Sequence, residues 1–325
     1  LPMPSHDPAI MTPITSPTSA CGMPTPKPRF STPWLPGKPR TTCSTSSASP
    51  SEPEARHRPA GRLAQHHRIL GGTMLRVHYR SFDGIHWGEL EGGDVHQLSS
   101  MVGRRTGDTV PLSDVTLLAP AEPRSIVCVG KNYAKHIAEM GGDASDLPKE
   151  PGLFLKSLAT LSAPGDPIPY PSWTNELHYE GELAVVMARS IRNATPEEAL
   201  DAVLGYTCAI DVTARDKQRS DLQWVRGKSA DGFCPVGPWL ETDFDSSDVS
   251  VQTYLNGELK QDGHTRDLIF DVGTVLSYVS SFLTLVPGDL ILTGTPDGVG
   301  PMQVGDEVEV RIAGIGSLTA QVEAA

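Results

Sequence analysis

From Met74 onward, apolar and polar positions alternate in short bursts separated by glycine-rich or proline-rich turns, whereas residues 1–73 carry no such period. LRVHYRSF (75–82), HWGELEG (86–92), a segment around Asp94 and Val95, and VTLLAP (115–120) read as strands, with DG and GG marking the turns between them. They predict a small β-rich module over 74–120. SIVCVG (125–130) is a continuous apolar run of the kind that fills a buried strand. KNYAKHIAEMGG (131–142) has a helical pattern closed by Gly141 and Gly142. GLFLKS (152–157), HYEGELAVVMA (178–188) and GYTCAID (205–211) are further strands, and TPEEALDAV (195–203) is a helix with Thr195 as its N-cap. VQTYLNGELKQ (251–261) carries an NG turn and reads as a hairpin. A helix over about 272–283 precedes the final strands in PGDLILTGT and GDEVEVRIAGIGSL. Strands outnumber helices and do not alternate with them, which opposes a doubly wound sheet and predicts a mostly-β α+β fold.

Composition explains the silent first segment. Of residues 1–73, 32 are Pro, Ser or Thr, and their charge is +5 against −17 for the remainder. Such a segment buries too little apolar area to offset chain entropy, so a disordered extension is expected over 1–73. It lacks the apolar core of a secretory signal. MLRVHYRSFDG, at Met74, has the form of a true beginning. The remaining chain, 121–325, is expected to form one catalytic domain behind the 74–120 module.

The net charge of −12 argues against nucleic acid or an anionic membrane as partner, since both select basic faces. No apolar run is long enough for a transmembrane helix. The five cysteines are widely spaced, with no CxxC pair. They are expected to be free thiols in a reducing cytoplasm.

The chemistry gathers around HYEGELAVV. Glu180 and Glu182 stand two apart in an apolar strand, so they share one face with Cα atoms roughly 6–7 Å apart. Two solvated glutamates on an edge strand would look the same. In an interior strand, however, two such charges repel and need a shared cation. GYTCAIDVTARD adds a third carboxylate, Asp211, where an apolar strand turns polar. Three carboxylates form an all-oxygen set that suits Mg²⁺, Mn²⁺ or Ca²⁺ rather than Zn²⁺. His136 and Glu139 lie three apart on one helix, a spacing that fits a proton-transferring pair and equally fits an exposed helix face. Lys228 in GKSADGF and Arg215, four residues after Asp211, are cations suited to a substrate carboxylate or a developing enolate, or simply to surface charge balance. LTGTPDGVG (292–300) opens a strand into a glycine-rich loop whose amides, with the Thr295 hydroxyl, suit a carboxylate. No GK[ST] ends it, so it is not a phosphate-binding loop.

Taken in order, VGKNYAKHIAEMG, LFLKS, HYEGELAVV, GYTCAIDVTARD, GKSADGFCPVGPW, NGELKQDGHT and TLVPGDLILTGTPDGVG resemble the fumarylacetoacetate hydrolase family from about residue 124 to the end, with looser likeness from Met74. The resemblance implies a mixed β-sandwich or roll with short helices, usually a homodimer. It implies Mg²⁺ or Mn²⁺ held by Glu180, Glu182 and Asp211, and a water-activating pair His136 and Glu139 on a short lid helix. It further implies Lys228 as active-site lysine, with Arg215 and Thr295 gripping a small dicarboxylic or keto-acid substrate. One departure is Ile210, where many members have Asn; Ile donates no hydrogen bond, so the hold on Asp211 differs. The implied activity is hydrolysis of a C–C bond in acylpyruvate-like acids through an enolate leaving group. Isomerisation or decarboxylation of 2-hydroxy-dienedioate or oxaloacetate-type acids uses the same site without an attacking water. A non-catalytic binding protein would keep the fold without the turnover.

Overall fold

A computed structural model describes residues 74–143 and 147–325; the 1–73 extension, expected to be disordered, lies outside the described residues. The fold is mostly β, with short helices, as the alternation predicts. A mixed 12-stranded sheet forms the spine. From one edge it runs through Arg105–Pro111, Asp94–Leu98, Gly84–Glu91, Leu75–Ser81, Cys234–Glu241, Val203–Ile210, Gly181–Met187, Leu290–Leu292, Ile126–Gly130 and Gly152–Lys156. The N-terminal strands therefore prolong the central sheet, through the antiparallel pairing of Leu75 with Glu241 and Arg76 with Leu240. Val77, Tyr79 and Val95 give that end a small core of its own.

Gly181–Met187 lies in the middle of the sheet and is buried along its whole length. Leu183, Val185 and Met187 point into the larger core, against Val251, Val308, Val310 and Leu318 of a five-stranded sheet. Ala184 and Val186 point the other way, towards Cys128, Cys234 and Leu292. Coverage on both faces explains why the strand reads as an almost unbroken apolar run. Glu182 shares the second face by parity.

The helices are short and locally determined. Pro196–Leu200 begins with a capping box: the Thr195 hydroxyl accepts from Glu198 N–H while the Glu198 carboxylate accepts from Thr195 N–H. Val272–Ser280 starts at Asp271, whose side chain accepts from Thr274 N–H, and ends three residues earlier than its apolar pattern suggests. The NG hairpin joins Ser250–Leu255 to Glu258–His264, with Asn256 and Gly257 both at positive φ.

Candidate active site

The acidic cluster is assembled by strand register. Gly181 pairs with Ile210 and Glu182 with Ala209, so the next position outward sets Asp211 opposite Glu180. There Asp211 N–H donates to Glu180 C=O at 2.8 Å. Gly181 separates the two glutamates for a steric reason: a Cβ there would lie 2.0 Å from Thr253 Oγ1 on the sheet packed behind. Only glycine lets the chain pass that close. One carboxylate oxygen from each of Glu180, Glu182 and Asp211 lies within 4.8 Å of the others, and all three residues are buried.

Cations surround two of these acids. Lys228 Nζ donates to Glu180 Oε2 at 2.8 Å, to Asp211 Oδ2 at 2.6 Å and to Thr213 Oγ1 at 2.7 Å. Lys156 Nζ donates to Asp211 Oδ1 at 2.5 Å and to Val212 C=O at 3.2 Å. Arg215 donates to Glu180 Oε1 and, at 2.6 Å, to Gln218 Oε1. Burial alone would raise the Glu180 pKa, but Lys228 and Arg215 outweigh it and hold the carboxyl well below its usual range. Burial likewise opposes the charge on Lys228, and Asp211 and Glu180 overcome it and raise its pKa.

Glu182 differs. It accepts Gly294 N–H at 2.6 Å but forms no ion pair among the described residues. Burial first, then the charges of Asp211 and Glu180, push its pKa well above the usual carboxylate value. A buried carboxylate without a cation of its own, two more within reach and all-oxygen donors together fit a hard divalent cation.

The other expected site residues converge on the same space. A cavity of about 230 Å³ is lined by His136, Glu180, Glu182, Arg215, Lys228 and Thr295, and also by Phe154 and Trp224. His136 sits on the six-residue helix Ala134–Glu139, with Nδ1 3.2 Å from Glu139 Oε2. Glu139 Oε1 accepts Gly298 N–H at 3.0 Å, which ties the helix to the 294–300 loop. Nδ1–H towards Glu139 leaves Nε2 as the basic nitrogen; this tautomer is inferred from the hydrogen-bond partner. Arg215 is buried, and its Nε has no hydrogen-bond partner among the described residues. The Thr295 hydroxyl is engaged within the protein, donating to Gly181 C=O at 2.9 Å and accepting from Gln261 Nε2 at 2.8 Å. It braces the strand between the two glutamates.

Lys156, Gln218 and Gln261 escaped the sequence reading. Lys156 ends the apolar strand Gly152–Lys156 just as Asp211 follows the apolar strand Val203–Ile210, and that parallel was its one available signal. Fully buried Gln261 also accepts Gly181 N–H at 2.9 Å, clamping the centre of the acidic segment. With Ile210 unable to help, Lys156 and Lys228 supply the hold on Asp211.

A buried carboxylate trio, a histidine–glutamate pair, and a lysine and an arginine meet around one cavity on a mostly-β frame, and together they form the candidate site. The comparisons make the class specific. Residues 125–323 match the model for the fumarylacetoacetate (FAA) hydrolase C-terminal domain, and residues 74–120 match the Rv2993c-like N-terminal model. The chain belongs to the fumarylacetoacetate hydrolase family. It is 42% identical to the human mitochondrial oxaloacetate tautomerase FAHD1 over 62% of this chain and 92% of that relative. It is also similar to the crystal structure of 2-hydroxyhepta-2,4-diene-1,7-dioate isomerase from Mycobacterium marinum. That match has TM-score 0.71 and 41% identity, covering 77% of this chain and 98% of that one. A third similar structure is fumarylpyruvate hydrolase from Pseudomonas aeruginosa in complex with Mn²⁺ and pyruvate. Its TM-score is 0.59 at 32% identity, over 63% of this chain and 91% of that one.

Among the described residues, no helix is long and apolar enough to cross a membrane. Cys128, Cys208 and Cys234 are free and buried.

Proposed function

We propose that the protein is a divalent-cation-dependent isomerase that moves a proton within a small 2-keto or 2-hydroxy-dienoic acid, interconverting its keto and enol forms. The observation that carries this reading is the buried Glu180–Glu182–Asp211 cluster, whose two glutamates line the cavity that also holds His136 and Lys228. Those three carboxylates would hold Mg²⁺ or Mn²⁺. Such an ion supplies Lewis acidity towards the oxygens of an α-keto acid. Arg215, buried beside the cluster with Nε unpartnered, binds the substrate's head carboxylate. His136 takes the proton from carbon at Nε2 and returns it to the enolate, at oxygen or at the far carbon of a dienoate, while Glu139 fixes the ring and stabilises its charged form. Lys228, whose ammonium is held by Glu180, Asp211 and Thr213, places its positive charge beside the developing enolate. The buried site limits stray protonation by water.

Hydrolysis of acylpyruvate-like acids, the first reading of the sequence, uses the same groups with water as nucleophile. The likeness to a fumarylpyruvate hydrolase supports it as the second reading. The likeness to an oxaloacetate tautomerase and a dienedioate isomerase favours proton transfer. Rates are to be measured on oxaloacetate enol, 2-hydroxyhepta-2,4-diene-1,7-dioate and acetylpyruvate, each with Mg²⁺ and with chelator. Metal-dependent tautomerisation without C–C cleavage is expected. Cleavage of acetylpyruvate as the faster reaction would restore the hydrolase. No metal-dependent turnover of any of the three would reject both.

A homodimer in the cytoplasm belongs to the same proposal. Exposed Leu155, Leu222 and Val225 lie around one edge strand and suit a second copy, and free thiols suit a reducing compartment. Light scattering on the purified protein tests the dimer.

A further inference from the structure

Among the described residues, three non-glycines have positive φ: Asn193, Asn256 and Lys131. Asparagine is at home in the left-handed region, and neither asparagine lines the cavity. Lys131, at φ 59°, is out of place there, and it does line the cavity. Its conformation is imposed by the next residue. Asn132 is 1% exposed, donates to Phe270 C=O and Thr293 C=O, and accepts Phe270 N–H. Those three bonds pin the turn between the strand Ile126–Gly130 and the His136 helix. Backbone strain of this kind persists where the surroundings enforce it, and it gathers at functional sites.

The Lys131 side chain is exposed and has no salt bridge among the described residues. The other basic groups of the cavity are engaged. Lys228 and Arg215 are held by the acidic cluster, and Arg219 is paired through both terminal nitrogens with Glu176. Lys131 is therefore the one cationic side chain lining the cavity with no carboxylate partner among the described residues. The lining of the same cavity also includes apolar Phe154, Trp224 and Met140. Metal-binding acids, an apolar stretch and a free ammonium in one cavity match a molecule with a chelating head, a short carbon chain and an anionic end.

We infer that Lys131 is a specificity-determining residue that binds the distal carboxylate of a dicarboxylic 2-keto acid. The inference rests on the proposed keto-acid site and adds the choice of tail. Arg219 contributes less, because Glu176 already offsets its charge.

Two ligands of equal length separate tail from head: 2-oxoadipate, ending in a carboxylate, and 2-oxohexanoate, ending in a methyl group. Their dissociation constants are to be measured by calorimetry on the Mn²⁺-loaded full chain. Wild type is expected to prefer 2-oxoadipate by at least about tenfold, the effect of one charge-assisted contact. Lys131→Gly and Lys131→Asn, both suited to the left-handed backbone, should bring the ratio to near one and leave 2-oxohexanoate binding unchanged. The double variant Glu176→Gln/Arg219→Gln should keep most of the preference. An unchanged ratio in both Lys131 variants, or equal weakening of both ligands, overturns the inference. A tail preference that depends on Lys131 in a protein without turnover supports the subsite and rejects the isomerase reading.

Discussion

Replacing Lys228 by methionine keeps the volume of the side chain and removes a cation shared by two buried acids. Its ammonium touches Glu180 and Asp211, and the residue is 2% exposed. Ligand oxygens of those acids lie within 4.8 Å of one another. Two unit charges at that distance repel by about 3.5 kcal/mol at an effective dielectric of 20. Loss of one partner from a buried ion pair costs about 3–5 kcal/mol. Arg215 and Lys156 remain beside the two acids, so the lower figure is taken, about 3 kcal/mol. For a chain of this size that lowers the melting temperature by roughly 6–12 °C in the presence of chelator. A divalent cation delivered to the same carboxylates replaces the missing charge and so binds the variant more tightly; a hundredfold lower Kd adds about 2.7 kcal/mol to the variant over wild type under saturating metal. Melting curves of wild type and Lys228→Met, with chelator and with saturating Mn²⁺, test this. The gap between the two proteins should shrink to about half or less when metal is present. A gap that stays constant or widens would refute the idea that ammonium and metal neutralise the same acids.

Three further outcomes are expected. His136→Ala should lower turnover by about 10²–10⁴-fold and leave Mn²⁺ affinity unchanged, as followed by calorimetry; turnover at the wild-type rate removes His136 from proton transfer. Burial pushes Asp216 up, but hydrogen bonds from Thr174 and Lys217 outweigh it and hold it at about 2, below its ordinary 3.8. The stabilisation is thus present above about pH 4 and lost as pH falls through about 2. Asp216→Asn should cost about 1–2 kcal/mol at pH 6, discounted for partial exposure, and urea titrations should show the difference closing towards pH 2. Finally, a chain starting at Met74 should keep the turnover and melting temperature of the full chain; a soluble but inactive product would refute the dispensability of residues 1–73.

The acids were legible because local pattern and chemistry coincide there. Glu180 and Glu182 break an otherwise apolar run at the period of a strand, and Asp211 follows the end of another. What brings them together is long-range register, Gly181 with Ile210, which no local pattern encodes. The same limit hid the union of the N-terminal strands with the central sheet, since nothing near Leu75 names Glu241 as its partner. Arg105–Pro111 was missed for another reason: it is exposed along nearly its whole length, so no apolar alternation marks it. Lys156 looked like an ordinary charge at a strand end, because burial by distant segments leaves no trace in its neighbours.

The central sheet ends in two unlike margins. Arg105–Pro111 presents Arg105, Asp108 and a terminal proline to solvent, with Gly107 at positive φ, features that discourage another strand from docking. Gly152–Lys156 presents Leu155 instead. Growth by strand addition is thereby confined to one side. Two molecules that met through that side in a self-complementary way would use up that edge in each, so such a pairing would close on itself and not run on into a filament.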